Sequence, residues 1–594
     1  MSAEPVARRE LVALFERHGA LVDPELLADL EVDGDGLARV QAVLGDLAEV
    51  PFHFDAPLFL RLEEQLRERV SQPAASPVQL APSPEAEAGR KEALRRAAAA
   101  IYDGGGPARD ADEEDEAAGD HDDQLALADE APKLSAAEEA KAFTVVPRSD
   151  WRPLAADHEG RLTIVSDMTG NSTCEGATGD FVDYFQDRYE RISKMLRQRR
   201  ELRNAVPIER VRPGQQEVAI IGMVGKVTTT KNGHRRIELE DSTGTLPAIV
   251  RADETQLTAM ADSLVQDEVI GLTGQATNKG DLIFADGLIR PDIPRQHPRE
   301  GHRGADVPLA AAFLSDIHVG SNTFLSDQWA SMLRWLSGHG ATRREREAAG
   351  RVKYLVMPGD LVDGIGIYPG QQDELTIGDI YDQYEAFGHW MEDLPDHLQV
   401  VIQPGNHDAA RPAEPQPAFS QEVRERFDRH DTHFVANPAW FKLHGALTLG
   451  YHGFSLIDFA TTVSKLDYED PLPTMQQMLE CRHMAPLYGE RTPVAPEHHD
   501  YLVIDEVPDL FVTGHVHVPG LRNYRGVLNI NCGTWQSQTS YQKMLNFTPD
   551  PARMPIVDLK SLRGTLVDFM TPSHAGTLSD GAGTAQETRA PSST

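Results

Sequence analysis

Apolar and polar positions follow different rules in successive parts of this chain. Residues 1–72 carry apolar residues at helical spacing: Leu11, Leu14, Phe15 and His18 share one face, and Leu58, Leu60, Leu62 and Leu66 form a second charge-flanked run. A small N-terminal helical domain that packs and carries no chemistry is expected there. Residues 143–212 form a connecting region with one strong helix, because Phe181, Tyr184, Phe185, Tyr189, Ile192, Met195 and Leu196 mostly recur three or four apart. Basic residues thicken toward its end (Arg188, Arg191, Lys194, Arg197, Arg199, Arg200), where cations suit the helix dipole; a solvated helix end is the expectation, with phosphate contact the alternative.

From 213 to 295 the period drops to two. The runs Val218–Val224, Arg235–Leu239, Leu246–Val250, Glu268–Leu272 and Leu282–Phe284 read as five short strands, with Asn232-Gly233 marking a hairpin. Such a series predicts an OB-fold β-barrel. Its aromatic residues are scarce, so docking competes with single-strand binding as its role. Residues 306–570 alternate strand-like and helix-like segments and form the largest domain, of α/β class. Residues 73–142 open with Ser and Pro and then turn acidic: positions 101–140 hold 14 acids against 2 bases. That composition predicts a disordered acidic linker. The Gly/Ser/Thr/Ala-rich tail, 571–594, is expected to be disordered as well.

Composition sharpens this picture in three ways. The net charge of −36 and a basic complement of only 12 Lys beside 45 Arg read as adaptation to a salt-rich cytoplasm. At molar salt the Debye length is about 3 Å, so a strongly acidic surface repels itself little. The three cysteines, 174, 481 and 532, are too scattered for a disulfide framework or a zinc knuckle, which fits a reducing compartment. Neither an 18-residue apolar run nor a secretory signal stands out, so no membrane association and a cytoplasmic location are expected.

The candidate chemistry lies in five polar motifs, each following an apolar run of strand length. They are Asp316-Ile-His318, Gly359-Asp360, Gly405-Asn406-His407-Asp408, Tyr451-His452-Gly453 and Gly514-His515-Val516-His517. Loops at the carboxyl ends of strands gather into one crevice in layered α/β folds. Spacing by two in extended backbone would point Asp316 and His318, and likewise His515 and His517, the same way. Glycines 359, 405 and 514 suit tight turns that need special backbone angles. Carboxylate, imidazole and amide donors without thiolate suit two hard or borderline divalent cations, and Asp360, nearest its strand end, is the candidate to bridge them. A Gly-x-x-x-x-Gly-Lys-Ser/Thr phosphate loop does not occur, so ATP hydrolysis has no support.

The order of these motifs resembles the calcineurin-like metallophosphoesterase superfamily. More closely, Ser315–Ser321, Gly359–Gly364, Pro404–Asp408, Thr513–His517 and Gly533–Gln536, with a barrel placed ahead of them, are similar to the small subunits of archaeal family D DNA polymerases. The resemblance covers roughly residues 143–570. It implies a two-sheet α/β metallophosphoesterase domain preceded by the barrel and the small N-terminal helical domain. It implies one metal held by Asp316, His318 and His517, a second by Asn406, His452 and His515, and Asp360 bridging. The implied cations are two, Mn2+ foremost with Mg2+ the alternative. His407 would protonate the leaving group and Asp408 would orient it.

The resemblance further implies a 3′→5′ exonuclease that proofreads DNA, partnered with a large catalytic subunit. A non-catalytic scaffold subunit is the first rival, and a stand-alone phosphoesterase acting on small nucleotides or phosphoproteins the second. Trp535 and Gln536 would line the site or a subunit contact.

Overall fold

The computed structural model describes residues 21–22, 40, 53–54, 145–295, 305–427, 431–570 and 577–580. The chain divides into two compact units, residues 1–87 and 88–594. In the first, β1 (Leu21–Val22) pairs in parallel with β2 (His53–Phe54) and Val40 is buried in a helical position. These strands were not expected in a helical domain. The rest of the expected helical domain, and the acidic linker, lie outside the described residues.

The second unit opens with β3 (Leu162–Ser166) and helix α1 (Thr178–Leu196), followed by the expected five strands. These are β4 (Val218–Thr229), β5 (Arg235–Asp241), β6 (Gly244–Val250), β7 (Val269–Ala276) and β8 (Ile283–Ile289), closed in the order β4-β5-β6-β8-β7. Alternate residues Ile220, Ile237, Leu239, Ala248, Ile270, Leu272 and Ile283 fill the barrel, and Gly233 (φ 79°) makes the β4–β5 turn.

Two further sheets follow. The first holds β9 (Ala310–Phe313), β10 (Val352–Pro358), β11 (Gln399–Gln403) and β12 (Thr432–Phe434), each parallel to the next. The second holds β13 (Ala439–Leu443), β14 (Ala446–Gly450), β15 (Leu510–Thr513), β16 (Gly520–Tyr524) and β17 (Val527–Asn531), in the order β16-β17-β15-β14-β13-β3. Strands β18 (Arg553–Asp558), β19 (Arg563–Asp568) and β20 (Thr577–Asp580) complete the first sheet on the far side of β9.

Period-two burial explains why the sheets stack. Ala311, Phe313, Tyr354, Val356 and Val401 of the first sheet meet Phe441, Leu510, Val512 and Ile530 of the second in one core. The alternate residues Ala312, Leu355, Val400 and Ile402 face helices α2 (Ser326–Arg334) and α3 (Ile380–Glu392). On the opposite side, Leu449, Phe511 and Val527 face α4 (Pro471–Cys481). Strands buried on both faces read as continuous apolar runs, which is what the sequence shows before each motif.

Three expectations need correction. The connecting region is not only helical: β3 pairs antiparallel with β13 and forms an edge of the second sheet. The tail expected to be disordered contributes β20, whose backbone pairs with β19. The helix end is solvated as expected at Lys194, Arg197 and Arg200, but Arg188 further in is buried (1% exposed) and donates to Asp500 Oδ2 at 2.8 Å, Pro486 O at 2.8 Å and Tyr184 Oη at 2.8 Å. Arg191 is likewise tied to Asp187 and to Asp505.

This helix joins the barrel to the sandwich, since Arg188 also reaches Asp267 O at the start of β7. A second clamp lies at Glu268, where the buried carboxylate accepts from Arg290 and from Cys481 Sγ of α4. No helix among the described residues is long and apolar enough to cross a membrane. Removing one partner of a buried ion pair leaves the other charge stranded, at about 3–5 kcal/mol. Arg188→Ala should therefore lower unfolding free energy by about that amount in denaturant titration; a loss under about 1 kcal/mol would show that the pair does not hold α1.

Candidate metal centre

The site is assembled by loops from both sheets. Asp316 and His318 follow β9, Asp360 follows β10 and Asn406 to Asp408 follow β11, all in the first sheet. His452 follows β14, and His515 and His517 follow β15, in the second. Ligand atoms of Asp316, His318 and His517 lie within 4.8 Å of one another, and so do those of Asp360, His452 and His515. Each triplet thus straddles the two sheets. Asn406 Oδ1 is 2.8 Å from His452 Nε2, which adds it to the second group. All seven side chains named from the motifs therefore converge.

The local backbone is not the extended one expected from spacing by two. Asp316 (φ 52°), His318 (φ 55°), Asp360 (φ 53°), His515 (φ 68°) and His517 (φ 57°) all take left-handed conformations beyond the strand ends. Such residues are uncommon outside glycine, and strain of this kind gathers at functional sites. The neighbours that hold it are visible. Asp360 O accepts from Ile317 N at 2.8 Å, and Asp316 O accepts from Trp535 N at 2.9 Å and Thr534 Oγ1 at 2.8 Å.

Of the three glycines, only Gly359 (φ 94°) needs its special backbone angle. Gly405 and Gly514 are required for closeness instead: a Cβ at 405 would stand 2.2 Å from Asp360 Oδ1, and one at 514 would stand 2.6 Å from Asp316 Oδ2.

Imidazole orientation is fixed from behind. His452 Nδ1 lies 2.8 Å from Pro358 O, His407 Nδ1 lies 2.8 Å from Asp363 O, and His318 Nδ1 lies 3.0 Å from Asp363 Oδ1. Carbonyls and carboxylates in this position turn the other ring nitrogen toward the centre and raise its basicity. Accordingly His318 Nε2 is 3.2 Å from His517 Nε2, which is 3.3 Å from Asp316 Oδ1.

Charge follows geometry. Burial pushes Asp316 and Asp360 up, but His517 beside the first and His452 and His407 beside the second hold both below the usual carboxylate range. Burial pulls His452 down, yet Asp360 and Asp316 outweigh it and lift the imidazole to about 10. Burial and the neighbouring His452 press His515 down to about 3. Two buried carboxylates, imidazoles and an amide oxygen in this density attract cations, and the donor set suits a first-row divalent ion.

Asp408 is the one predicted site residue placed elsewhere. Its carboxylate accepts from Gly405 N at 2.9 Å, Leu361 N at 3.2 Å and Tyr384 Oη at 3.0 Å, so it braces two loops. Asp363 takes the orienting role expected of it. Asp363 sits inside the Gly359–Gly364 motif, three residues from Asp360, but neighbouring-strand contacts are needed to see which carboxylate turns inward. Gln536 Nε2 donates to Asp363 Oδ1 at 3.0 Å, and the Gln542 amide lies 2.9 Å from His517 Nδ1. Trp535 is 1% exposed and packs on Trp329, so it is core and no subunit contact.

Known proteins match the same stretch. The family model for the B subunits of DNA polymerase alpha/epsilon matches residues 311–519, which enclose every ligand named above. The DNA polymerase II small subunit of Methanothermobacter thermautotrophicus is 42% identical over 404 residues, 68% of this chain and 82% of its own. That of Halobacterium salinarum is 41% identical over 447 residues, 74% of this chain and 85% of its own. That of Archaeoglobus fulgidus is 40% identical over 418 residues, 70% and 83%. Residues 311–519 thus match the model of DNA polymerase B subunits. The chain belongs to the archaeal DNA polymerase II small-subunit family, as its motifs implied.

Deleting the Tyr384 hydroxyl would leave Ala409 N without its partner and leave Asp408 Oδ1 with Leu361 N alone. Tyr384→Phe should cost about 1–3 kcal/mol in equilibrium unfolding, the penalty for an unsatisfied buried polar group; no measurable loss would remove Asp408 from its bracing role.

Proposed function

We propose that this chain is the proofreading small subunit of a replicative DNA polymerase, hydrolysing DNA phosphodiester bonds from the 3′ end and working with a large catalytic subunit. The observation that carries the reading is the pair of ligand triplets, each drawn from both sheets, with Asp360 and Asn406 at the second. Asp316, His318 and His517 would hold one divalent cation, and Asn406, His452 and His515 the other, with Asp360 between them. When bound, such a pair, manganese or magnesium, polarises the phosphate and acidifies a shared water.

The chain's own groups supply the rest. His407 has Nδ1 committed to Asp363 O, so Nε2 faces inward, 3.9 Å from Asp360 Oδ2. Burial lowers its basicity, but Asp360 and Asp363 outweigh burial and raise it. An imidazole held protonated there can pass its Nε2 proton to the departing 3′ oxygen. Asn406 contributes a neutral oxygen, which limits negative charge facing the phosphate. The five-stranded barrel, taken as an OB-fold and clamped by Arg188 and Glu268, offers a platform for strand binding or for the partner chain.

The test is manganese-dependent release of nucleotides from 3′-labelled DNA by the purified chain. Asp360→Ala should abolish both manganese binding in calorimetry and cleavage. His407→Ala should keep its manganese stoichiometry while kcat falls about 10^2–10^4-fold; loss of the metal in that variant would reassign His407 as a ligand. Wild-type chain that binds manganese yet releases nothing, alone or with the large subunit, would leave only the scaffold reading.

A further inference from the structure

Beside the ligands lies an aromatic pair that none of the chemistry above uses. Tyr368 and Tyr541 stack with ring centroids 5.2 Å apart and planes inclined by 22°. Tyr541 belongs to α5 (Ser540–Met544), and Tyr368 to the loop that leaves Asp363. Glu374 ties the two segments together, accepting from Tyr368 Oη at 3.0 Å and from Ser540 N at 3.0 Å.

Each segment is anchored to the centre itself. The residue after Tyr541, Gln542, lies 2.9 Å from His517 Nδ1. On the other side, Asp363 O meets His407 Nδ1, and Gln371 Nε2 donates to Asp363 at 2.9 Å. The stacked pair therefore bridges the two segments that orient His407 and His517. Both tyrosines are only partly buried, and apolar neighbours stand out: Met544 is 73% exposed and Ile365 42%. Arg491 lies within electrostatic reach of Tyr541, with its charge answered first by Asp458 and also by Glu490.

We infer that the Tyr368–Tyr541 stack is a base platform, on which the terminal bases of single-stranded DNA rest so that their phosphodiester reaches the centre. The inference rests on the proposed nuclease reading and adds to it what selects the substrate. Aromatic platforms suit single strands because every base has a π face. A stacked aromatic pair of this kind recognises an unpaired end whatever its sequence, the form a mismatched terminus takes.

The test compares the full-length chain with Tyr541→Ala and Tyr541→Trp. Three measurements are made in manganese: cleavage of a 3′-labelled single-stranded oligonucleotide, cleavage of bis(p-nitrophenyl) phosphate, and fluorescence of 2-aminopurine at the oligonucleotide's 3′ end. Tyr541→Ala should raise KM for the oligonucleotide about tenfold more than it affects the small diester, and should relieve 2-aminopurine quenching. Tyr541→Trp should restore both. Equal losses on the two substrates, or quenching that Tyr541→Ala leaves intact, would overturn the platform. Wild-type chain that cleaves neither substrate would overturn the nuclease reading instead, while the fluorescence still decides the platform.

Discussion

Everything at the centre depends on three loops being pressed together around Asp360. Its carbonyl receives Ile317 N from the loop after β9, its Oδ1 receives His407 N at 2.9 Å from the loop after β11, and its Oδ2 lies 3.4 Å from His452 Nε2 of the second sheet. Contact this close is possible only because Gly405 presents no side chain toward the carboxylate. The left-handed turns at Asp316 and His318 follow from the same crowding: the chain leaving β9 must fold back at once to reach Asp360 and then Trp535. Ligand geometry is thus a by-product of backbone closeness, with Asp408 and Tyr384 bracing the outer side.

Much of this was legible in the sequence because strands buried on both faces leave continuous apolar runs, and motifs after them can be seen as strand-end loops. The barrel strands, β9 to β11, β14 and β15 and the seven candidate ligands could be read that way. What escaped depends on tertiary context. The motif around Asp360 holds two aspartates, and only the fold shows that Asp363 turns behind His318 and His407 while Asp408 turns away. Arg188 looked like one of a row of solvated bases, but its partner Asp500 is distant in sequence and invisible to helical periodicity. β3 is short and half exposed, and becomes a strand because β13 offers it an edge. Spacing by two suggested extended backbone at the ligands; the hydrogen bonds that force the left-handed turns come from other loops.

The barrel and the sandwich share apolar contacts, Val265 and Ile293 with the core around α4 and Ile221, Met223 and Val269 with Val503, and buried polar clamps are set beside them. Arg188 with Asp500, and Glu268 with Arg290 and Cys481, are buried contacts whose members belong to different parts of the second unit. Such pairs add little net free energy compared with well-packed apolar groups, but they penalise any other arrangement heavily. They fix the orientation of a platform relative to a site more than they strengthen the union.

Each ligand triplet takes members from both sheets of the sandwich. A cation seated there would act as a further crosslink between layers that already share an apolar core and hydrogen bonds such as Gln403 Nε2 to Gly450 O. Ion activity and the integrity of the fold then become thermodynamically linked: a species that binds only the assembled state stabilises it by RT ln(1 + [L]/Kd). The same divalent ions that serve chemistry would also report, through the folded population, whether the two halves of the molecule have come together.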